Sequence, residues 1–452
     1  MFKINNLLIF SISFILITVF IFEIFYLLPS QTGDSSKFVN IIFNICRYNE
    51  FKSYGDPRGD IFDFHGWLHL YIISKLNYNC SIENLYLINY FLKIITLIFS
   101  YLLLKDKFNT INLFIILFFV YVAQIKLQFR PESICILLSS LIFYYHKKEN
   151  YVLIPILFGF LLNSHIVFFT FLSLIFLLSF WKIYLKKKVI FKLIAFFLIT
   201  LILLEYIYPY TIYDYIYGNI SKNSGTWSTG ESFNINQFNQ YYILNKIHGS
   251  GPMPLLGIGF LFIAYLIFKK KKILLILAPL FYFFSLRNLP GNYYVAGLTP
   301  ILVMFSYFIF ENKEINHKKS YKFFFIIILI SALIGFGHYF IRNSLTIFYF
   351  NNDFNKTKEF LNNNLNKIDK FPSFGTHLNK EIIYENYSVK NCSTCNLSDE
   401  IKNYDLKEAN GSINICENSK DKNDYSIKLF GMKIFNSNSG YGIYICEKKI
   451  SK

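Results

Sequence analysis

The sequence predicts an α-helical polytopic membrane protein with about 11 transmembrane helices and a small external α/β domain at its C-terminal end. Of its 452 residues, 54% are hydrophobic and only 16% are charged, whereas about a quarter of the residues of a soluble domain are charged. Apolar runs follow one another through most of the chain, separated by short lysine-rich segments. After residue 341 the sequence becomes polar and rich in Asn and Lys, and residues 342–452 are long enough for one small domain.

The first apolar run covers residues 7–28 and is long enough to cross the hydrocarbon core as a helix. It is too long for a cleaved signal peptide and has no small-residue cleavage site. Several of the later runs are shorter than a full crossing, so broken or tilted helices are expected among them. These further predicted spans are residues 85–104, 110–125, 132–146, 151–163, 165–181, 189–208, 254–268, 273–286, 293–310 and 321–341.

The positive charge of the chain predicts its orientation in the membrane. A formal net charge of +17 would suggest a nucleic-acid partner in a soluble protein, but here the lysines cluster in short loops between spans, and no nucleic-acid partner is expected. With the N-terminus in the cytoplasm, every such cluster lies on the cytoplasmic side, as the positive-inside rule requires. The long loops 29–84 and 209–253 and the C-terminal domain then lie outside. The clusters are Lys105 with Lys107, Lys147 with Lys148, residues 186–188, residues 269–272, and Lys313 with Lys318 and Lys319.

Six of the seven cysteines lie in segments placed outside the cytoplasm, where an even number predicts disulfides. Cys46 and Cys80 are the expected pair of the first loop, and two further bridges are expected among Cys392, Cys395, Cys416 and Cys446. The Cys392-x-x-Cys395 spacing alone could also indicate zinc or redox chemistry, although a structural bridge is the favoured interpretation. Cys135 lies within a span and is expected to contribute packing only.

Two elements are predicted in the C-terminal domain. Residues 356–365 are predicted to form a helix. Residues 426–434 and 441–447 are predicted to form a hairpin, joined by the Asn-Ser-Asn-Ser-Gly turn at 436–440.

Candidate site residues begin in the first external loop. Asp34 comes five residues after Pro29, which ends the first apolar run, and Asp63 and His65 follow near the end of the loop. A carboxylate and an imidazole close to the bilayer can perform acid–base chemistry or hold a metal. The structural alternatives are a solvated loop with an interfacial helix and, for Asp34, a cap on a helix predicted at residues 35–47.

A second candidate is the Arg130-Pro131-Glu132 turn between two short spans. Charged groups at this depth are costly unless they face water, each other or a ligand, and a guanidinium suits phosphate. The structural alternative is a helix start with Pro at the first position and Glu in the first turn. His165 occupies another short external turn, where a single histidine is more often structural.

The remaining candidates lie late in the bundle and inside spans. Arg287 and Tyr293 are predicted at the outer surface, although paired tyrosines are also typical of the aromatic belt. Lys93 is one of three ionisable residues within spans, with Glu23 and Glu205, and such residues are functional candidates by default. Lys93 could instead pair with Glu23.

Taken together, these motifs resemble the GT-C superfamily of polytopic glycosyltransferases, and within it the bacterial relatives of protein mannosyltransferases and aminoarabinose transferases. The resemblance covers most of residues 1–341. By position, Asp34 would be the family's catalytic loop acid, and Arg130 with Glu132 would match its Arg-Pro-Glu turn. Arg287 and Tyr293 would match the basic-aromatic segment near the lipid phosphate. Where relatives often have His-Pro-Pro-Leu, this chain has residues 65–68, His-Gly-Trp-Leu.

The resemblance implies a membrane glycosyltransferase of the bacterial inner membrane. Its donor would be a polyprenyl-phosphate-linked sugar and its acceptor a hydroxyl of a lipid, glycan or protein, with a divalent metal as a candidate cofactor. Two other enzyme and carrier classes stay open: a polysaccharide polymerase or ligase, which would not need a carboxylate after the first span, and a transporter or flippase, which would favour repeated halves. A non-catalytic scaffold would leave the clustered polar residues unexplained.

Overall fold

The computed structural model describes residues 2–28, 33–49, 66–207, 292–309, 319–350, 426–429 and 432–436. This part of the protein is predominantly helical. Its α-helices, numbered in chain order, are α1 Phe2–Phe20, α2 Gly33–Tyr48, α3 Leu68–Leu76, α4 Ile82–Leu104, α5 Thr110–Lys126, α6 Pro131–Lys147, α7 Leu153–Ser164, α8 Ile166–Tyr184, α9 Lys187–Ile207, α10 Asn292–Ile309 and α11 Lys319–Phe350. A π-helical turn, Ile21–Phe25, continues α1 and carries the buried Glu23.

Three helices are long and apolar enough to cross a membrane: Ile82–Leu104, Lys187–Ile207 and the Lys322–Leu345 part of α11. Shorter apolar helices occupy Phe10–Phe25, Thr110–Ile125, Leu153–Ser164, Ile166–Leu177 and Gly297–Ile309. The predicted helical membrane class is therefore supported by length and composition, and the short runs are helices as well. The number of spans, the orientation and the GT-C arrangement stay predictions, and the runs at 254–268 and 273–286 lie outside the described residues.

Many large apolar side chains of the described helices are exposed, and a number of polar side chains are buried among the apolar core. Large apolar residues of α9 point outward, with Phe191 74% and Ile202 68% exposed. Polar residues such as Gln124, Glu132 and Ser139 are fully buried. Polar groups that face the bundle interior, with apolar groups outside, are what a lipid solvent selects.

The chain divides into two compact units, and the first contains residues 91–336 together with Met1–Ile12 and Phe62–His69. Within it, α6 packs against α7 and α10, α7 against α8 and α9, and α10 against α5. Gly159 allows the close approach of α7 and α9, because a Cβ at this position would lie 2.7 Å from Cγ2 of Thr200. Phe143, Phe176 and Phe305 form part of the aromatic core of this unit.

The second unit contains Ser13–Ile61, Leu70–Tyr90 and Gly337–Lys452. A disulfide between Cys46 and Cys80 joins the last turns of α2 to the segment before α4, which confirms the predicted pair. Asn77 organises that segment, since its Oδ1 accepts hydrogen bonds from the backbone of Ser81 and the side chain of Asn84. Cys135, in the first unit, is a buried free thiol, as its position within a predicted span indicated. The four C-terminal cysteines lie outside the described residues.

The C-terminal hairpin differs from the predicted one. Strand β1 (Ser426–Leu429) pairs antiparallel with β2 (Met432–Asn436), and Leu429 lies opposite Met432. The prediction of one continuous strand over residues 426–434 is therefore wrong, because this stretch contains most of both strands. The predicted turn at 436–440 lies almost entirely outside the described residues. Two residues including Gly431 separate the strands, and a short glycine-containing connection is sufficient for a hairpin. The predicted strand 441–447 and helix 356–365 lie outside the described residues.

Candidate functional site

Three segments of the first unit meet at one end of its helices. They are residues 66–69, which lead into α3, residues 127–133 between α5 and α6, and residues 163–165 between α7 and α8. We call these segments the histidine end. The backbone N–H of Gly66 donates to the carbonyl oxygen of Ser164 at 3.0 Å, which ties the first segment to the third.

Gly66 is required by this contact. A Cβ added to Gly66 would lie 1.8 Å from the carbonyl oxygen of Asn163 and 2.9 Å from the backbone nitrogen of Ser164. Those atoms belong to the backbone and cannot rotate away as a flexible side chain could. The close approach therefore fixes the start of α3 beside the α7–α8 turn.

Arg130 and Glu132 form a bidentate ion pair at the start of α6. Nε of Arg130 lies 3.1 Å from Oε2 of Glu132, and Nη2 lies 2.7 Å from Oε1. The two side chains are only 3% and 0% exposed. Arg130 occupies the N-cap position with extended backbone and Pro131 the first helical position, as the structural interpretation of this turn predicts. The ion pair follows from that turn, because it holds both side chains on the same side.

His69 and His165 lie in the same electrostatic environment as Arg130. Burial lowers the pKa of His69 to about 3, a hydrogen bond to the backbone of Gly66 opposes this shift, and the charge of Arg130 adds to it. Burial also holds the pKa of His165 well below its ordinary value, with further contributions from His69 and Arg130. Nδ1 of His165 accepts from the backbone N–H of Val167 at 3.3 Å and so caps α8. Both imidazoles are therefore neutral at physiological pH.

A polar layer continues from the Arg130 turn into the helices. Nε2 of Gln124 donates to Oγ1 of Thr96 at 2.8 Å, which links α5 to α4. Lys93, fully buried, lies one turn before Thr96 on α4. Buried lysine within an apolar bundle is a functional candidate, and the Gln124–Thr96 bond places this part of α4 beside the helix that leads to Arg130.

Three buried polar atoms near this layer have no hydrogen-bond partner among the described residues. They are Oε1 of Gln124, Oγ of Ser133 and Oγ of Ser164. Buried groups of this kind are costly unless they are paired. They could bind the hydroxyl or phosphate oxygens of a polar substrate, or an ordered water.

Helix α10 reaches the same end of the unit at Gly297. A Cβ at Gly297 would lie 2.5 Å from Cζ of Phe168 and 3.2 Å from Cβ of Glu132. Tyr293 lies one turn earlier in α10, so its backbone is near this end, whereas its side chain is not among those described. The structure thus brings α10 to the Arg130–Glu132 turn.

The other predicted site residues are less fully described. Asp34 is the second residue of α2, which places it within the first helical turn and not at the cap position before it; its side chain is not described. The predicted helix at 35–47 is confirmed as Gly33–Tyr48. Asp63, His65 and Arg287 lie outside the described residues. No group of three His, Cys, Asp or Glu side chains in the described part could hold a metal ion, and the divalent metal stays a prediction.

The sequence predicted His65 as a site residue, whereas the structure places Gly66 and His69 in the cluster. His165, which the sequence alone favoured as structural, lies there too. The stretch His65-Gly66-Trp67-Leu68-His69 was a visible signal, but it does not reveal which histidine becomes buried. That depends on the contact between Gly66 and the distant Ser164.

The described residues define a mainly helical protein that has three helices able to span a membrane and a buried ionisable site at one end of its apolar helices. Comparison of the chain with protein-family models, curated protein sequences and solved structures finds no match. An ion pair, two neutral imidazoles and several buried hydroxyls provide both hydrogen-bond donors and acceptors for an oxygen-rich ligand.

Proposed function

We propose that this protein is a membrane glycosyltransferase that moves a sugar from a polyprenyl-phosphate-linked donor to a hydroxyl of a lipid, glycan or protein acceptor. The observation that carries the proposal is the buried cluster of Arg130, Glu132, His69 and His165 at one end of apolar helices. Such groups are expensive in a membrane protein and are retained where a substrate uses them. The resemblance to GT-C enzymes supports the choice of reaction.

In the proposed reaction, Asp34 removes the proton from the acceptor hydroxyl as its oxygen bonds to the anomeric carbon of the sugar. The bond between that carbon and the phosphate oxygen breaks, and its electron pair leaves with the lipid phosphate. Donors near the phosphate stabilise the developing negative charge. The carboxylate provides general-base catalysis, which typically contributes roughly 10²–10⁴-fold.

The role of Arg130 has to be consistent with its ion pair. Two of its donor nitrogens contact Glu132, so its charge is already largely compensated. We propose that the pair orients the α5–α6 turn and that the charge of Arg130 acts on the lipid phosphate, while Arg287 supplies the second cation. Lys93 and Tyr293 are further candidate contacts for the donor, and Asp63 and His65 for the acceptor or a divalent metal.

The placement of the acid supports this assignment. Asp34 lies in the first turn of α2, shortly after the first apolar helix, and would therefore be held near the membrane surface where a lipid-linked donor presents its phosphate. The Cys46–Cys80 disulfide holds the opposite end of α2. A disulfide in this segment fits an oxidising, external compartment.

The decisive experiment compares membranes that contain the parental protein, Asp34→Asn or Asp106→Asn. Each is supplied with a panel of radiolabelled polyprenyl-phosphate sugars, and sugar transfer to membrane acceptors is measured. Asp34→Asn should lose transfer by roughly two to four orders of magnitude, and Asp106→Asn, an acid in an exposed turn, should retain it. Retention of the Cys46–Cys80 bridge in the Asp34 variant checks that α2 is intact.

Three results would redirect the proposal. Transfer at the parental rate by Asp34→Asn would remove Asp34 from catalysis. If the parental protein transferred no sugar but moved a fluorescent lipid-linked sugar across vesicles, the protein would be a flippase. Accumulation of polymer from a preassembled lipid-linked repeat would instead indicate a polymerase or ligase.

A further inference from the structure

The opposite end of the first unit is strongly basic. We call residues 104–109, 147–151 and 182–188 the lysine end. It contains eight lysines and two acids, Asp106 and Glu149. Because the three segments come from different turns, their charges act as one surface only if the fold holds them together.

Hydrogen bonds hold these turns together. Nζ of Lys147, at the end of α6, lies 2.9 Å from the carbonyl oxygen of Leu103 and 2.7 Å from Oδ2 of Asp106, which joins α6 to the α4–α5 turn. At the same end of α6, the hydroxyl of Tyr184 lies 2.6 Å from Nδ1 of His146, which joins α6 to the end of α8. The lysine turns are therefore neighbours on one surface.

The lysines of this end fall into two groups. Lys147 and Lys107 are used within the protein, since Lys147 bonds two helix-end carbonyls and Asp106, and Lys107 bonds the carbonyl oxygen of Tyr307. The others have exposed side chains: Lys105, Lys148, Lys182, Lys186, Lys187 and Lys188. Lys105 and Lys148 both act on Asp106, whose pKa is lowered first by its bond to Lys147 and further by these two charges. A single paired acid thus already has three cations around it.

Exposed apolar side chains border the exposed lysines. Trp181 is 51% and Leu185 54% exposed, and Lys182 lies 5.9 Å from the Trp181 ring. Tryptophan and lysine side by side at the end of apolar helices is the arrangement found at the headgroup level of a bilayer. The surface therefore combines exposed lysines with neighbouring apolar side chains that suit the interface between bilayer and water.

We propose that the lysine end binds the headgroups of anionic phospholipids, with Lys105, Lys148 and residues 186–188 as the cationic contacts and Trp181 at the depth of the upper acyl chains. Charge complementarity selects an anionic lipid, because two acids cannot neutralise eight lysines. Each lysine near an anionic surface contributes about 1 kcal/mol, equivalent to about fivefold in association. This inference does not depend on the proposed glycosyl transfer, because the two sites lie at opposite ends of α6.

The test uses the full chain in phosphatidylcholine bilayers that contain a minor fraction of lipid brominated near the headgroup, either phosphatidylglycerol or phosphatidylcholine. Bromine quenches nearby tryptophan, and the quenching lost in Trp181→Phe is that of Trp181. We expect stronger quenching of Trp181 by brominated phosphatidylglycerol. In the variant Lys186→Gln/Lys187→Gln/Lys188→Gln, the ratio of Trp181 quenching by brominated phosphatidylglycerol to that by brominated phosphatidylcholine should fall towards one. The expected decrease is up to about fivefold for each lysine removed.

The matched control removes three lysines from the C-terminal segment, Lys402→Gln/Lys407→Gln/Lys422→Gln, and should leave the lipid preference intact. If the triple variant at 186–188 does not insert, Lys148→Gln serves in its place with a smaller expected change. Equal quenching by both brominated lipids in the parental protein would overturn the proposal. An equal loss of preference in the C-terminal control would also overturn it, since the effect would then be one of total charge.

Discussion

Helix α6 has an ion pair at each end, and the two pairs have the same shortest distance. Nη2 of Arg130 lies 2.7 Å from Glu132, and Nζ of Lys147 lies 2.7 Å from Asp106. The surroundings differ: the first pair is 3% and 0% exposed, and the second is 14% and 59% exposed. Equal geometry therefore does not mean equal energy, because desolvation governs the first pair and solvent screening the second.

The comparison also separates two uses of charge. At the histidine end the ionisable groups are buried and either paired or neutral, so each is sensitive to the loss of a neighbour. At the lysine end most of the charge is exposed and of one sign, so single losses matter little and the sum matters for association.

The largest effect is expected for Glu132→Ala. It leaves the Arg130 guanidinium buried without its carboxylate, and loss of one partner of a buried pair costs about 3–5 kcal/mol. The loss would be measured by heating the purified protein and determining the fraction that stays monodisperse at each temperature. The double variant Arg130→Met/Glu132→Leu removes both charges and should recover much of the stability. A stability for Glu132→Ala equal to that of the parental protein would mean that this pair is solvated, contrary to its burial.

The Arg130–Glu132 pair also shows which features of the structure could be predicted from the sequence. Pro131 followed by Glu132 predicted a helix start, and apolar runs predicted most of the helices, because local patterns determine both. The burial of the pair could not be predicted, since it depends on α10 arriving at Gly297 after a long intervening sequence. The sequence also predicted one strand over residues 426–434, where the structure has two, because the run of alternating side chains there contains only Gly431 as an internal turn-forming residue.

A second large effect is expected for Gly66→Ala. Its Cβ would overlap the carbonyl oxygen of Asn163, so the 66–69 segment would have to move away from the α7–α8 turn. Overpacking of this kind costs about 1–3 kcal/mol. Gly337→Ala is the matched control: nothing lies within 4 Å of the new Cβ, and alanine in a helix is favoured by about 0.5–1 kcal/mol. Gly66→Ala should lower the unfolding temperature, and Gly337→Ala should raise it. If both substitutions lowered the unfolding temperature, the contact at Gly66 would not be the cause.

The pH dependence of stability should come from the histidine end. The folded pKa of His69 is about 3 and that of His165 is also well below 6.5, so both are neutral when folded but gain a proton on unfolding below pH 6.5. Their stabilising contribution is complete above that pH and falls as pH decreases. The expected loss is about 1.4 kcal/mol per pH unit for each histidine, or about 2 kcal/mol for His69 at about pH 5.

Measurement of unfolding temperature from neutral to mildly acidic pH would test this, with His69→Asn/His165→Asn as the comparison variant. The double variant should lose less stability over the same interval, although it starts lower at neutral pH. Parallel curves for the two proteins would show that neither imidazole is excluded from water.

The smallest effect is expected for Asp106→Asn. The Asp106 carboxylate is mostly exposed, and pairs of this kind contribute about 0–1 kcal/mol. Lys147 also keeps its bonds to the carbonyl oxygens of Leu102 and Leu103, so the end of α4 stays bound after the substitution. The small loss should disappear at high salt, because screening acts on exposed charges.

Glu132→Ala should keep its full cost at both low and high salt, since salt does not reach a buried pair. Unfolding temperatures of both variants at low and high salt therefore compare the two ends of α6 directly. If the cost of Asp106→Asn matched that of Glu132→Ala and persisted in salt, exposure would not be what distinguishes the two pairs.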